Sequence, residues 1–282
     1  MLISYRARRI ISRVALYALI AVVLIIIVFP LYWLLITSVK VDVDTAHFPP
    51  IFVPSRLTAN NYSLVLQTEN ASKFWMNSIV VALASTFLTC IIGSMAAYAL
   101  AKTYLAAKLR QGLILWILLI RIFPPVTTAI PYYIIIKNLG LSDTWFSLIL
   151  TYVSYGLPFV IWLMLGFFQD LPADIEKAAI VDGCGMWQRF YRVVLPLTLP
   201  GLTVTAIFAF IASWNEFLYA SILTSYNAKT LPVVISGYMS DKYLRWGEMS
   251  ALGTMMIVPV MVFSALTQRY LVRGLTFGAV KG

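Results

Sequence analysis

The 282 residues are 61% apolar and only 11% charged, with a mean hydropathy of +0.87, values that exclude an ordinary water-soluble domain. The net charge of +10 is thin for so apolar a chain, and basic residues flanking apolar runs set membrane topology rather than mark nucleic-acid binding. Two cysteines, Cys90 within an apolar run and Cys184 in a loop, and the single histidine His47 exclude a disulfide framework, a Cys/His metal centre and a His-based catalytic triad.

Six stretches reach the roughly 20 apolar residues that a helix needs to cross a bilayer. They are Ile11 to Thr37, Phe74 to Ala101, Gly112 to Ile136, Thr144 to Phe168, Gly201 to Leu223 and Met249 to Leu271. The predicted fold is all-α: a multi-pass membrane protein with six transmembrane helices over residues 11–271, an N-terminal segment 1–10 and a C-terminal tail 272–282. The first run exceeds the h-region of a signal peptide and no A-x-A-like site follows it, so it is expected to remain as a helix. Thirteen Lys and Arg residues fall on the side holding both termini and seven on the other, with Arg121 inside the third span. That asymmetry predicts cytoplasmic termini. The first outer segment, Lys40 to Lys73, carries Pro49, Pro50 and Pro54 and reads as an extended loop with a short amphipathic piece.

Polar groups within the spans are costly in hydrocarbon and so are candidate functional residues. Arg121 immediately precedes Pro124-Pro125, where a guanidinium can reach a carboxylate such as Glu216 or the carbonyls that a kink sets free. Tyr152, Ser154 and Tyr155, next to Gly156 and Pro158, offer aromatic faces and hydroxyls to a solute, or serve ordinary packing. Trp214, Asn215 and Glu216 lie about 22 Å along the fifth span from Gly201 at 1.5 Å per residue. They either face a pathway or bond to a neighbouring helix.

The loop from Gln169 to Pro200 is the most informative segment. Pro172 suits a first helical turn, Ile175, Ala178, Ala179 and Asp182 follow at one-face spacing, and Gly183 and Gly185 are expected to end that helix in a tight turn. Trp187, Phe190, Tyr191 and Val194 then share the face of a second short helix, with Arg189 and Arg192 opposite and Pro196 limiting the run. By pattern alone this is either a loop resting on the membrane interface or a docking element for a partner.

Ala178-Ala179, Asp182-Gly183, Val193 and Leu195-Pro196 resemble the loop motif of ABC importer permeases: E-A-A, three residues, G, nine residues, I, one residue, L-P. The position before the alanine pair holds Lys177, with Glu176 one step earlier, and the isoleucine position holds Val193. Asn77-Ser78, Ala96-Ala97-Tyr98-Ala99, Phe123-Pro124-Pro125, Trp214-Asn215-Glu216-Phe217 and the tail Gln268 to Gly282 extend the resemblance to the smaller permease of maltose-type carbohydrate importers. The resemblance implies a type I importer permease in the inner membrane, paired with a second related permease, two copies of an ATPase and an extracytoplasmic solute-binding protein. It implies that Glu176, Lys177, Ala178, Ala179, Asp182, Gly183, Trp187, Arg189, Phe190, Leu195 and Pro196 form the ATPase-coupling loop. It also implies that Gly274, Leu275, Thr276, Gly278 and Lys281 in the tail reach the ATPase.

No Gly-Lys pair exists in the chain, so there is no G-x-x-x-x-G-K-[ST] phosphate loop. ATP and Mg are expected on the partner ATPase, with no cofactor on this chain. An ion-gradient-driven secondary transporter is the alternative, although inverted repeats and paired broken helices are only faintly present. A membrane enzyme would need a catalytic constellation, and one loop histidine with few intramembrane acids supplies none.

Overall fold

The computed structural model describes residues 5–67, 70–102, 105–240 and 243–276. In chain order the helices are α1 (Tyr5–Ser38), α2 (Asp42–Thr45), α3 (Asn60–Gln67), α4 (Ala71–Lys102), α5 (Ala107–Ile122), α6 (Pro125–Asn138), α7 (Trp145–Gln169) and α8 (Ala173–Val181). Then come α9 (Met186–Gln188), a π-helical segment Arg189–Val194, α10 (Leu195–Leu197), α11 (Leu199–Trp214), α12 (Leu218–Leu223), α13 (Leu231–Gly237) and α14 (Trp246–Thr276). A two-residue ladder pairs β1 (Met239–Ser240) with β2 (Tyr243–Leu244), and an isolated antiparallel bridge pairs Lys40 with Leu57.

Four helices are long and apolar enough to cross a membrane alone: α1, α4, α7 and α14, and two bent pairs raise the number to six. The third predicted span is not one straight helix, because α5 and α6 meet at 95°. Phe123 and Pro124 both take extended backbone (ψ 127° and 135°), as residues preceding proline are driven to do. A second sharp bend lies just ahead of the fifth predicted span. The segment from Met186 to Leu197 meets α11 at 80°, where Pro200 lacks the N–H that would continue the ladder. Asn215 to Phe217 then separate α11 from α12.

The chain forms two units. The first comprises residues 1–71 and 237–257. Within it Asn61 donates to the carbonyls of Ser38 (3.0 Å) and Lys40 (2.9 Å), occupying acceptors freed where α1 ends. A Cβ on Gly247 would stand 2.6 Å from the Asn61 amide, so only glycine allows α14 this close to the α1 cap. None of the most apolar 18-residue window of α1 is buried among the described residues.

The second unit comprises residues 72–236 and 258–282 and holds two buried clusters. One gathers Tyr98, Val160, Met164, Phe168, Phe190 and Val194, with the Tyr98 ring 5.9 Å from Phe168 and 5.0 Å from Phe190. Close approach of α4 to α7 requires Gly93, where a Cβ would meet the Val160 side chain at 2.5 Å. The other cluster gathers Val81, Ala129, Ile136, Leu148, Tyr152 and Tyr219.

Candidate functional site

The loop after α7 folds into a protruding turn because its sequence both starts and stops a helix. Asp174 and Glu176 sit in the first turn of α8, complementing the helix dipole. The helix ends in a Schellman motif: Cys184 N–H bonds to the Ala179 carbonyl (2.9 Å), Gly183 N–H to Ile180 (3.0 Å), and Gly183 takes φ +78°. Gly185 has φ −66° and caps α9, with Gln188 reaching back to its amide at 3.1 Å.

The buried stripe of α8 is offset by one residue from the face expected of Ile175, Ala178, Ala179 and Asp182. Ala179 is buried and Ile175 half-buried, but Ala178 and Asp182 are exposed and Glu176 turns inward instead. Tyr98 on α4 donates to Glu176 Oε1 at 2.7 Å, and Lys102 Nζ lies 3.6 Å from Oε2 with both side chains nearly covered. Lys102 also donates to the Leu171 carbonyl (3.2 Å). Lys177 points outward, paired with the equally exposed Asp174 at 2.9 Å. Glu176 therefore ties α8 to the end of α4, and Lys177, Ala178, Val181 and Asp182 are left on the outer surface.

Past the turn the π segment replaces the simple helix that the spacing suggests. Leu195 N–H reaches back to the Phe190 carbonyl, a five-residue step. That wider turn precedes Pro196, whose ring would crowd the carbonyl four residues earlier in a regular helix. It also splits the expected face. Phe190 and Val194 are buried, whereas Trp187 and Tyr191 stack on each other (6.2 Å) in the open. Arg189 is half-buried with its Nε unpartnered, Leu195 is half-buried and Pro196 exposed. Gly274, Leu275 and Thr276 occupy the last turn of α14, while Gly278 and Lys281 lie outside the described residues.

Four of the intramembrane candidates converge. Arg121, Tyr152, Tyr155 and Glu216 line one small pocket of about 30 Å³ with Gly156, Phe159 and Ser213. Glu216 caps α12, accepting from Tyr219 N–H (2.8 Å) and Ala220 N–H (3.1 Å). Arg121 does not pair with it within 4 Å. Its guanidinium lies over the rings of Phe159 (4.9 Å) and Tyr155 (5.5 Å), the partners that sequence reasoning did not name. The Tyr152 hydroxyl is buried in the same lining as Glu216 but short of hydrogen-bond geometry. Ser154 bonds to Tyr132 (2.7 Å), Trp214 is buried against Phe210 (5.7 Å), and Asn215 is exposed just outside the pocket lining.

At the other end of α4, Asp143, which the sequence did not single out, and Asn77-Ser78, quoted above only for the resemblance, hold the loop after α12. Asp143, with φ +57°, receives the amides of Ser225, Tyr226, Asn227 and Ala228 at 2.9 to 3.2 Å. Burial raises its pKa, but these amides outweigh that and hold the carboxyl below its usual range. Asn77 donates to the carbonyls of Asn227 and Lys229 and accepts from Trp145 Nε1, and Ser78 accepts from Leu231 N–H. The signal available was Asn77-Ser78 at a span's start and an aspartate where the backbone turns left-handed. Among the described residues no three of His, Cys, Asp and Glu converge where a metal ion could sit.

Residues 89–277 match the family described as binding-protein-dependent transport system inner membrane component. The chain belongs to that family. It is 37% identical over 253 residues, 90% of each chain, to a probable ABC transporter permease protein of Sinorhizobium fredii. It is 37% identical to a sulfoquinovosyl glycerol transport system permease protein of Agrobacterium fabrum, covering 90% of this chain and 89% of that one. It is 38% identical to a trehalose transport system permease protein of Mycobacterium tuberculosis, covering 82% and 84%. The fold is shared with a chain of a bacterial ABC transporter involved in alginate import, at TM-score 0.79 and 22% identity over 96% of this chain and 99% of that one. This permease is thus a multi-pass inner-membrane transport subunit.

Proposed function

We propose that the permease carries a sugar or sugar-like solute across the membrane, receiving it from an extracytoplasmic binding protein and drawing its energy from a separate ATPase. Relatives named for trehalose and sulfoquinovosyl glycerol transport support the carbohydrate class. Both termini and the α8 turn lie on the cytoplasmic side in this reading, in keeping with the thirteen-to-seven distribution of basic residues. Two ATPase copies, a second related permease and the binding protein complete the assembly, with ATP and Mg held by the ATPase pair.

The observation that carries the reading is the α8 turn: an exposed surface closed by Gly183 and fastened through Glu176 to Tyr98 and Lys102. A groove on the ATPase grips Lys177, Ala178, Val181 and Asp182, and closure of the ATPase pair displaces α8 as a rigid piece. The Glu176 tie and the buried Phe190 ring pass the displacement to α4 and α7, rocking the spans between two arrangements. The solute passes Arg121, Tyr152, Tyr155 and Glu216, whose narrow pocket widens as the spans rock apart and whose aromatic faces and polar groups then meet a hydroxylated ring. Gly274 to Lys281 extend toward the ATPase interface. Reconstitution tests the whole: the four-component assembly in vesicles accumulates sugar only with ATP and binding protein. Ion-driven uptake by this chain alone would contradict it.

A further inference from the structure

A second pocket lies wholly within the first unit, among residues that the transport reading leaves unused. Trp33 and Thr37 from the last turns of α1, Lys40, Asp44 on α2, His47 and Trp246 at the start of α14 line an open-mouthed space of about 270 Å³.

Its polar groups are left incompletely paired by the fold. Thr37 is 6% exposed and its Oγ1 is buried with no hydrogen-bond partner, an arrangement that native interiors avoid unless something else supplies the bond. Asp44 is also buried. Its Oδ2 takes both Ser55 N–H (2.8 Å) and Ser55 Oγ–H (2.7 Å), leaving Oδ1 without a hydrogen bond among the described residues. His47 Nδ1 lies 2.9 Å from the Pro49 carbonyl oxygen. A carbonyl can only accept, so the proton sits on Nδ1 and Nε2 keeps a free lone pair in the neutral ring.

The charges decide the class of ligand. Lys40 is 1% exposed, donates to the Ile51 carbonyl and lies 4.1 Å from the centre of the Trp33 ring. Its positive charge offsets that of Asp44, so the pocket has no net charge. A cationic guest would meet Lys40 and an anionic one Asp44. What remains is a hydroxyl, a carboxylate oxygen and an imidazole lone pair in a lining that also holds two indoles. Two pure acceptors and a hydroxyl call for a guest with several O–H donors, and the indoles call for one with apolar C–H faces. A neutral sugar ring has both.

We propose that this pocket is a sugar-binding site distinct from the one at Arg121 and Glu216, with Thr37, Asp44 and His47 bonding ring hydroxyls and Trp246 packing on the ring. The assignment rests on the carbohydrate reading given above.

The test is calorimetric titration of the purified permease–ATPase complex, without binding protein, against a panel of neutral mono- and disaccharides that includes trehalose and maltose. Thr37→Val keeps the shape and removes the hydroxyl, and Trp246→Ala removes one indole. The site is supported if a panel sugar binds the wild type and both variants bind it at least about five-fold more weakly at unchanged melting temperature. Unchanged affinity in Thr37→Val and Trp246→Ala overturns it, and wild-type uptake of the same sugar would then leave the transport reading standing. If the wild type binds no panel sugar the site is likewise overturned, and ATP-driven uptake of only non-carbohydrate solutes would remove the carbohydrate reading as well.

Discussion

The two ends of α4 are built on opposite plans. Near Asn77 the loop after α12 is closed on the protein itself: one aspartate gathers four consecutive amides, and an asparagine and a serine bind three more backbone groups. About 32 Å away along the same helix, near Tyr98 and Lys102, α8 is held through Glu176 and its outer face is bare, with Val181 86% exposed and Trp187 57%. Buried satisfaction at one end and exposed apolar residues beside a fixed turn at the other are what a static scaffold and a docking element respectively require.

The comparison breaks most sharply at Gly183. Leucine there must adopt φ near +78°, a strain of about 1–2 kcal/mol, yet nothing stands within 4 Å of its Cβ. Gly183→Leu is therefore expected to insert in the membrane and lose ATPase co-purification and ATP-driven uptake by tenfold or more. Full uptake in that variant would deny the docking role. Next comes Glu176→Ala, which leaves Lys102 nearly buried without its carboxylate. A loss of about 3 kcal/mol in stability is expected, and uptake falls while the ATPase still co-purifies. Measuring both in one preparation separates transmission from grip.

At the scaffold end Asp143→Ala removes a charged acceptor from four amides, an expected loss of about 2 kcal/mol read as a lower melting temperature. Because the folded-state pKa of Asp143 is depressed, this contribution is present above the ordinary carboxylate value of about 3.9 and is lost as pH falls through the lower folded value. The melting-temperature gap between wild type and Asp143→Ala is therefore constant near neutrality and closes on acidification below that range. The smallest effect belongs to Lys177→Ala. Its exposed pair with Asp174 contributes less than about 1 kcal/mol, so any large fall in uptake there reports contact with the ATPase rather than stability.

The apolar runs and the Gly183 turn were legible in the sequence because each follows from one local property, length in the first case and backbone freedom in the second. The faces of the loop helices were not. A π turn ahead of Pro196 rotates Trp187 and Tyr191 out while Phe190 stays in, and α8 chooses Glu176 over Ala178 because Tyr98 and Lys102, distant in sequence, await it. The same holds for Arg121, whose aromatic partners are set by how α5 packs on α7, and for Asp143, whose partners arrive more than eighty residues later. The right-angle break at Phe123-Pro124 was foreshadowed by its prolines, but its size depends on tertiary packing.

The central claim is that a separate ATPase grips the outer face of α8. Its most direct test is disulfide or maleimide cross-linking from Val181→Cys, placed in a Cys184→Ser background, to cysteines lining the groove of the ATPase in the intact membrane assembly. The account predicts a cross-link whose yield changes between nucleotide-free and ATP-bound states. Absence of any cross-link in both states, with Val181→Cys instead labelled by an impermeant reagent from outside the cell, would contradict it.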